Sequence, residues 1–262
     1  MLLQEGTVPD MIHILLDGRV TASSHDAAPH TIDAPAALGF LQALQGVAMR
    51  KSIRTVETIR TIATTVTLAL TADELRTLLA DNTDLVRGLF ATLADHADPG
   101  TVDNVQSTGA APALEQLAAD GVSPVEKILS LQRVPVFARI AADEMGALAG
   151  ITHTVVMTAG TSLFAPSAPV ALWLILSGEI SLESAADGSH TTARAGDILG
   201  YLSMLSGRPL GKSAEVVRSG AALRIDRDEL FDLLGERPEL LRQLFEGMFR
   251  IGSDTSVGRT LV

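Results

Sequence analysis

A glycine-rich stretch occurs twice in this chain, and this repetition constrains the fold more than any other feature. The second copy runs from Ala195 to Val216, and the weaker first copy runs from Asp33 to Val56. Each copy has a turn of small residues, a Leu-Gly pair, a short apolar helical turn, a second glycine and a basic residue followed by serine. Such loops let backbone N–H groups approach an anion. The pattern predicts two homologous units with candidate anion sites, although it also fits an ordinary buried turn, helix and turn.

Other residues repeat at a nearly constant separation, which supports two homologous units. The matching pairs are Gly18 and Gly178, Gly39 and Gly200, Ser52 and Ser213, and Asp73 and Asp228. A segment rich in proline and glycine and poor in large apolar residues lies between the halves, as is typical of a linker. We therefore predict a domain at 1–96, a linker at 97–122, a domain at 123–251 and a tail at 252–262.

Residues around the second copy carry a resemblance to a known family. Leu172–Glu183 reads as an apolar strand, a Ser-Gly turn and a second strand, and Ala222–Leu234 reads as a strand followed by a helix. The order of these elements resembles that of the cyclic nucleotide-binding domain: strand, turn, strand, glycine-rich cassette, strand and helix. The resemblance implies a mainly β fold with flanking helices, built as two jelly-roll β-barrels.

In that family the cassette binds the cyclic phosphate, and its usual form is Phe-Gly-Glu-(Leu/Ile)-Ala-Leu followed by Pro-Arg-(Ala/Ser)-Ala. The resemblance implies ligand-binding positions in both copies of the cassette. They are Gly200, Tyr201, Leu202, Ser203, Lys212 and Ser213 in the second copy, and Gly39, Phe40, Lys51 and Ser52 in the first.

Both cassettes depart from the family pattern where the ligand would be held. Tyr201 and Phe40 replace the glutamate that takes the ribose hydroxyl, and Lys212 replaces the arginine that pairs with the phosphate after a two-residue insertion. Loss of a buried acceptor costs about 1–3 kcal/mol, so affinity for a cyclic nucleotide should fall about tenfold to a hundredfold or more. Lys212 can still meet a phosphate as a point charge. It could equally be a solvated lysine beside Glu215.

The first unit resembles the family from its second strand onward. Glu5–Val20 reads as the family's second and third strands, whereas the second unit also has two helices and a strand over Ser123–Met157. We therefore expect the first domain to be N-terminally incomplete. Its opening strand would come from a longer product or from another segment.

Composition excludes several classes of function. The chain has 262 residues, 47% of them hydrophobic, and a net charge of −11 that repels nucleic acid backbones. The longest apolar runs, such as Val170–Leu176, fall short of the ~20 residues that span a membrane. There is no cysteine, and no two of the six histidines have metal-ligand spacing. We expect a cytoplasmic protein without metal or other cofactor, either free or attached to a membrane protein.

Catalysis has weak support in the sequence. Ser203 and Ser213 have no histidine nearby in sequence, and Asp226, Asp228 and Glu229 fit the first turn of a helix. We interpret the chain as a non-catalytic regulatory or assembly module with degenerate cassettes, acting with a protein partner, a missing N-terminal segment or a second copy. The alternative is a sensor for cAMP, cGMP or another phosphorylated ligand at the second cassette. A hydrolase with an unrecognised base is the third interpretation.

Overall fold

The computed structural model divides the chain into two compact units, with the division between Asp81 and Asn82. The structure describes all residues except 10, 26–27, 41, 44–45, 47–51, 96–103, 107–121, 135, 169–170 and 255–262. Among the described residues, strands outnumber helices in both units, and this arrangement of strands with flanking helices confirms the predicted fold class.

Unit 1 contains two antiparallel three-stranded sheets followed by helix α1 (Ala72–Asp81). The strands are β1 (Ile12–Asp17), β2 (Arg19–Ser23), β3 (His30–Asp33), β4 (Ala36–Leu38), β5 (Thr58–Thr61) and β6 (Val66–Leu70). Their order is β4-β1-β6 in one sheet and β3-β2-β5 in the other. Leu3 adds an isolated bridge to Ile59 of β5 and packs into the core with Leu15, Val20 and Leu38.

Unit 2 repeats this arrangement with additional strands. Its strands are β7 (Asn104–Gln106), β8 (His153–Met157), β9 (Ser162–Phe164), β10 (Leu172–Ile175), β11 (Glu179–Ser184), β12 (His190–Arg194), β13 (Asp197–Leu199), β14 (Lys212–Arg218) and β15 (Gly220–Ile225). The two sheets have the orders β7-β13-β10-β15-β8 and β12-β11-β14-β9. Trp173, Ile180 and Val216 belong to the apolar core that the inward side chains form.

Glycine anchors occupy the same place in both units. Gly18 follows β1 with φ of 99°, and Gly178 follows β10 with φ of 93°. A Cβ atom on Gly18 would lie 2.5 Å from the Thr64 carbonyl oxygen, and one on Gly178 would lie 2.6 Å from that of Arg218. Both turns therefore require glycine for the same reason, namely a close backbone approach at a left-handed position.

The helices of unit 2 begin before its first long strand. They are α2 (Thr83–Asp95), α3 (Pro124–Leu131), α4 (Ala142–Gly150), α5 (Tyr201–Ser206), α6 (Arg227–Glu236) and α7 (Pro238–Asp254). Ser123 caps α3 in a capping box with Glu126. None of the helices in the described part of the chain has the length and apolar character needed to cross a membrane.

The observed division differs from the sequence-based one at α2. The prediction placed this helix at the end of a first domain ending at residue 96, whereas the structure places it in unit 2. There the Phe90 ring stacks on Phe245 with centroids 4.9 Å apart and meets Phe231 edge-on at 5.8 Å. The physical reason is that the apolar stripe of α2 is buried against α6 and α7.

Two further boundaries also differ from the prediction. Residues 104–106 of the predicted linker form β7 and pair with β13, and most of the remaining linker lies outside the described residues. Helix α7 continues to Asp254, into the predicted tail at 252–262, whose other residues also lie outside the described part.

Candidate functional site

The second cassette connects β13 to β14 through the short helix α5. Gly200 precedes the helix with φ of 73° and Gly207 follows it with φ of 75°, so both residues adopt the left-handed conformation that favours glycine. The Gly207 N–H donates to the Ser203 carbonyl at 2.9 Å, and the Met204 N–H donates to the Gly200 carbonyl at 2.8 Å. The two glycines thus set the start and the end of a one-and-a-half-turn helix.

Tyr201, at the position of the family's glutamate, is enclosed by the protein. Its side chain is 5% exposed, and its hydroxyl has no hydrogen-bond partner among the described residues. Burial raises the pKa of this phenol well above its ordinary range. Tyr201 is therefore a neutral, packed aromatic at every physiological pH, and it supplies no carboxylate.

Ser203 forms a hydrogen bond within the cassette. It is 4% exposed, and its hydroxyl donates to the carbonyl oxygen of Arg208 in the loop after α5. Both the buried position and this bond hold the loop in one conformation. Of Leu202 the structure gives only its backbone place within α5.

Lys212 and Ser213 lie on opposite faces of β14. Successive strand residues point to opposite faces, and Ala214 and Val216 are buried in the core. Lys212 shares their face and is half-buried, opposite Ser184 of β11. Ser213 lies on the other face, opposite Glu183. The structure thus puts the lysine, but not the serine, on the face of β14 that lines the core.

The first cassette is described only in part. Gly39 has φ of 71°, and a Cβ atom there would lie 2.9 Å from the Leu3 Cδ1 atom, so packing accounts for this glycine. Phe40 is half-buried and Ser52 is exposed. Lys51 lies outside the described residues.

Two arginines beside the second cassette were not found by sequence reasoning. The guanidinium carbons of Arg87 and Arg227 each lie 4.7 Å from the centroid of the Phe231 ring. A Cβ atom on Gly207 would lie 3.1 Å from the Arg227 guanidinium carbon, so this cation sits at the C-terminal end of α5. Desolvation by burial, and then the charge of Arg87, lower the pKa of Arg227.

The two arginines belong to the support of the cassette. Arg87 also makes an ion pair with Asp228 at 3.2 Å, and α2, which carries Arg87, packs against α5. No sequence signal connects Arg87 to a cassette more than a hundred residues later, because only the tertiary fold brings α2 to it.

A second polar cluster lies where β8, β15 and α6 meet. His153, Asp226 and Glu229 have potential ligand atoms within 4.8 Å of one another, and no other such group of three occurs in the described residues. The His153 Nε2 atom lies 2.8 Å from Glu229 Oε2, and Asp226 accepts from Arg224 Nε at 2.9 Å. A hydrogen bond between His153 and Glu229 and an ion pair between Arg224 and Asp226 therefore account for this surface cluster.

A comparison with family models matches a segment of the second unit. Residues 154–237 match the model of the cyclic nucleotide-binding domain, which confirms the resemblance for this segment, wholly within unit 2. No curated protein sequence matches the chain.

Several solved structures are similar to the chain at low identity. The N-terminal domain of a transcriptional regulator from Streptomyces coelicolor A3(2) shares 21% identity over 49% of this chain and 95% of its own, with a TM-score of 0.45. The regulatory domain of Toxoplasma gondii PKA with cAMP shares 13% over 97% and 82%, with a TM-score of 0.38. The guanosine-bound regulatory subunit of a cAMP-independent protein kinase A from Trypanosoma cruzi shares 14% over 98% and 79%, with a TM-score of 0.37.

Proposed function

We propose that the cyclic nucleotide-binding domain in unit 2 is a non-catalytic regulatory or assembly module whose cassette has lost affinity for cyclic nucleotides. The observation that carries this proposal is the buried, unpartnered Tyr201 at the position where the family presents a carboxylate. A neutral phenol enclosed by the protein cannot replace that charged acceptor for the ribose hydroxyl. Loss of one buried acceptor costs about 1–3 kcal/mol, so the affinity for a cyclic nucleotide falls about tenfold to a hundredfold or more.

The support around α5 agrees with a structural role for the cassette. Ser203 is bonded to the Arg208 carbonyl, α2 packs against α5, and Arg227 lies beside Gly207. Through these contacts, polar groups of the loop bind other groups of the protein. We expect the module to act through a protein partner or through another segment of the protein that carries it, and to work in the cytoplasm.

A sensor of a phosphorylated ligand is the second candidate, and Lys212 is the observation that favours it. The lysine lies on the core-lining face of β14, half-buried, and makes no ion pair with any described residue. A half-buried ammonium group without an acidic partner is a reasonable site for a phosphate. In this case any remaining affinity should depend on phosphate more than on sugar or base.

A thermal-shift experiment separates the two candidates. The full chain is heated alone and with cAMP, cGMP or inorganic phosphate, because a ligand that binds the folded state raises the melting temperature by mass action. The proposal predicts no shift with either nucleotide at 1,000-fold excess over a micromolar Kd, a condition worth about 4 kcal/mol for a true sensor.

Two variants provide the controls. Lys212→Ala removes the candidate phosphate group, and Arg218→Ala removes one positive charge from the other end of the same strand. A nucleotide-dependent shift that Lys212→Ala abolishes and Arg218→Ala preserves would favour the sensor and overturn the proposal.

A further inference from the structure

Three side chains with metal-binding groups converge where β8, β15 and α6 meet. His153 is the first residue of β8, Asp226 follows β15, and Glu229 lies in the first turn of α6. The register of the sheet fixes this convergence, because β8 pairs with β15 so that His153 lies opposite Arg224, close in sequence to Asp226. The spacing of the histidines in the sequence therefore does not indicate this cluster.

The bonds inside the cluster leave one oxygen of each carboxylate available. Arg224 donates through Nε at 2.9 Å and through Nη2 at 2.5 Å, and both bonds end on Asp226 Oδ1. Asp226 is the N-cap residue of α6, but its side chain makes no capping hydrogen bond. His153 Nε2 lies 2.8 Å from Glu229 Oε2. Asp226 Oδ2 and Glu229 Oε1 thus have no hydrogen-bond partner among the described residues.

The three side chains are accessible to an ion and close enough to share one. Their exposed fractions lie between 32% and 51%. Their potential ligand atoms all lie within 4.8 Å of one another. Two ligands of a tetrahedral zinc ion lie about 3.4 Å apart at zinc–ligand distances of about 2.0–2.2 Å. Rotation of these exposed side chains brings the atoms to that spacing, and the ion then replaces the hydrogen bond between His153 and Glu229.

We propose that His153, Asp226 and Glu229 bind a divalent transition metal ion of the Zn²⁺ type. An imidazole with two carboxylates is a ligand set that suits Zn²⁺, whereas Mg²⁺ and Ca²⁺ prefer oxygen ligands alone. Three protein ligands leave a fourth position for water. Arg224 stays bonded to Asp226 Oδ1 and orients this carboxylate, as outer partners of metal ligands commonly do.

An ion at this place joins the sheet of unit 2 to α6. This helix carries Arg227, which lies beside Gly207 of the second cassette, and Phe231, which meets Phe90 of α2 edge-on. The bound metal therefore holds α6 against β8 and stabilises unit 2 by mass action. This role does not depend on whether the cassette binds a nucleotide.

Calorimetric titration of the full chain with ZnCl₂ tests the proposal. The chain carries no histidine tag and is first freed of metal with a chelator that is then dialysed away. We expect one Zn²⁺ per chain with a Kd of about 10 μM or tighter. Mg²⁺ should bind at least about a hundredfold more weakly. In NMR spectra of the histidine rings, Zn²⁺ should shift the signals of His153 and leave those of His190 in place.

Two variants remove ligands and a third is the matched control. His153→Ala removes the imidazole, and Glu229→Gln removes one carboxylate with little change of shape. Each should weaken Zn²⁺ binding at least about tenfold. His190→Ala is the control, because His190 is also exposed and lies opposite Glu183, but no group of three ligands in the described residues includes it. It should bind Zn²⁺ like the unmodified chain, and circular dichroism without metal checks that each variant is folded.

Three results would overturn the proposal. The first is the absence of Zn²⁺ binding by the unmodified chain at about 100 μM. The second is an affinity that survives either ligand variant or falls equally in His190→Ala, since the ion would then bind elsewhere or non-specifically. The third is Mg²⁺ binding as tight as Zn²⁺ binding, which would indicate attraction of cations to an acidic surface.

Discussion

Tyr201 of the second cassette combines a buried ring with an unpaired polar atom. Its side chain is 5% exposed, and its hydroxyl has no hydrogen-bond partner among the described residues. Burying a hydroxyl without a hydrogen bond costs about 1–3 kcal/mol, so the favourable term must be the burial of the ring. The Tyr201 ring therefore stabilises the fold by packing, whereas its unpaired hydroxyl destabilises it.

The first prediction follows from that balance. Tyr201→Phe keeps the ring and removes the unsatisfied hydroxyl, so the free energy of unfolding of unit 2 should stay the same or rise by about 1 kcal/mol. Tyr201→Glu places a carboxylate in the same enclosed site and should lower it by about 3 kcal/mol or more. Urea denaturation measures both. A loss of more than about 1 kcal/mol in Tyr201→Phe would show that the hydroxyl makes a stabilising bond.

Asp187 gives a prediction about pH dependence. The Ser189 hydroxyl, its backbone N–H and the Ser184 hydroxyl bond to the carboxylate and lower its pKa to about 2. Because the folded pKa is lower than the ordinary value of 3.8, this group stabilises the fold above that value, and the contribution is lost as pH falls toward 2.

An NMR titration should therefore place the Asp187 midpoint near pH 2. Ser189→Ala removes the largest cause and should move the midpoint toward 3.8. A midpoint near 3.8 in the unmodified chain would contradict the geometry of this turn.

At the scale of elements, α2 has the largest effect on how the chain is divided. Phe90 is 1% exposed and contacts Phe231 and Phe245 of α6 and α7, so α2 belongs energetically to unit 2. Phe90→Ala should lower the stability of unit 2 by about 3–5 kcal/mol. Leu85→Ala on the exposed side of the same helix should cost no more than about 1 kcal/mol.

Fragments test the same boundary. A fragment of residues 82–254 should unfold cooperatively and be more stable than a fragment of 123–254, which lacks α2 and β7. Circular dichroism during urea denaturation gives both midpoints. Equal urea midpoints for the two fragments would show that α2 does not stabilise unit 2 and would support the boundary at residue 96 predicted from the sequence.

Local elements could be predicted from the sequence because their causes are local. Asp187-Gly188 is a two-residue hairpin signal in the sequence, and β11 and β12 pair on either side of it, with Ile180 opposite Ala193 and Leu182 opposite Thr191. Thr71 and Glu74 have the three-residue spacing of a capping box, and they form one at the start of α1, since Thr71 N–H donates to the Glu74 carboxylate and Glu74 N–H donates to Thr71 Oγ1.

Tertiary placement could not be predicted in the same way. The spacing of apolar residues predicts an apolar stripe on α2 but carries no information on its partner, because Phe231 and Phe245 are distant in sequence. Helical spacing also places Leu78 of α1 and Leu85 of α2 on the same faces as buried leucines, although both are exposed. In the cassette, the glycine-rich turns could be predicted from the sequence. The burial of Tyr201 and the position of Arg227 beside Gly207 could not, because they depend on the tertiary fold.

The whole molecule joins two units of unequal content. Unit 2 has two extended sheets, helices on either side in sequence and most of the buried core, whereas unit 1 has two three-stranded sheets and an open edge at β6 in its described part. A small unit buries a smaller fraction of its surface and is correspondingly less stable. We therefore expect the two units to unfold separately.

Calorimetry of the full chain should show two transitions, with unit 1 melting first. The isolated piece of residues 1–81 should melt at or below the lower of these two temperatures. A sharp transition for this piece at the melting temperature of unit 2 would contradict the lower stability expected of the smaller unit.

The central claim is that the second cassette has lost its affinity for cyclic nucleotides. Isothermal titration of the full chain with cAMP and with cGMP tests this claim most directly. The account predicts no heat beyond dilution with either nucleotide. Binding of either nucleotide with a Kd of about 1 μM or tighter, equivalent to about −8 kcal/mol, would contradict it and establish the domain as a sensor.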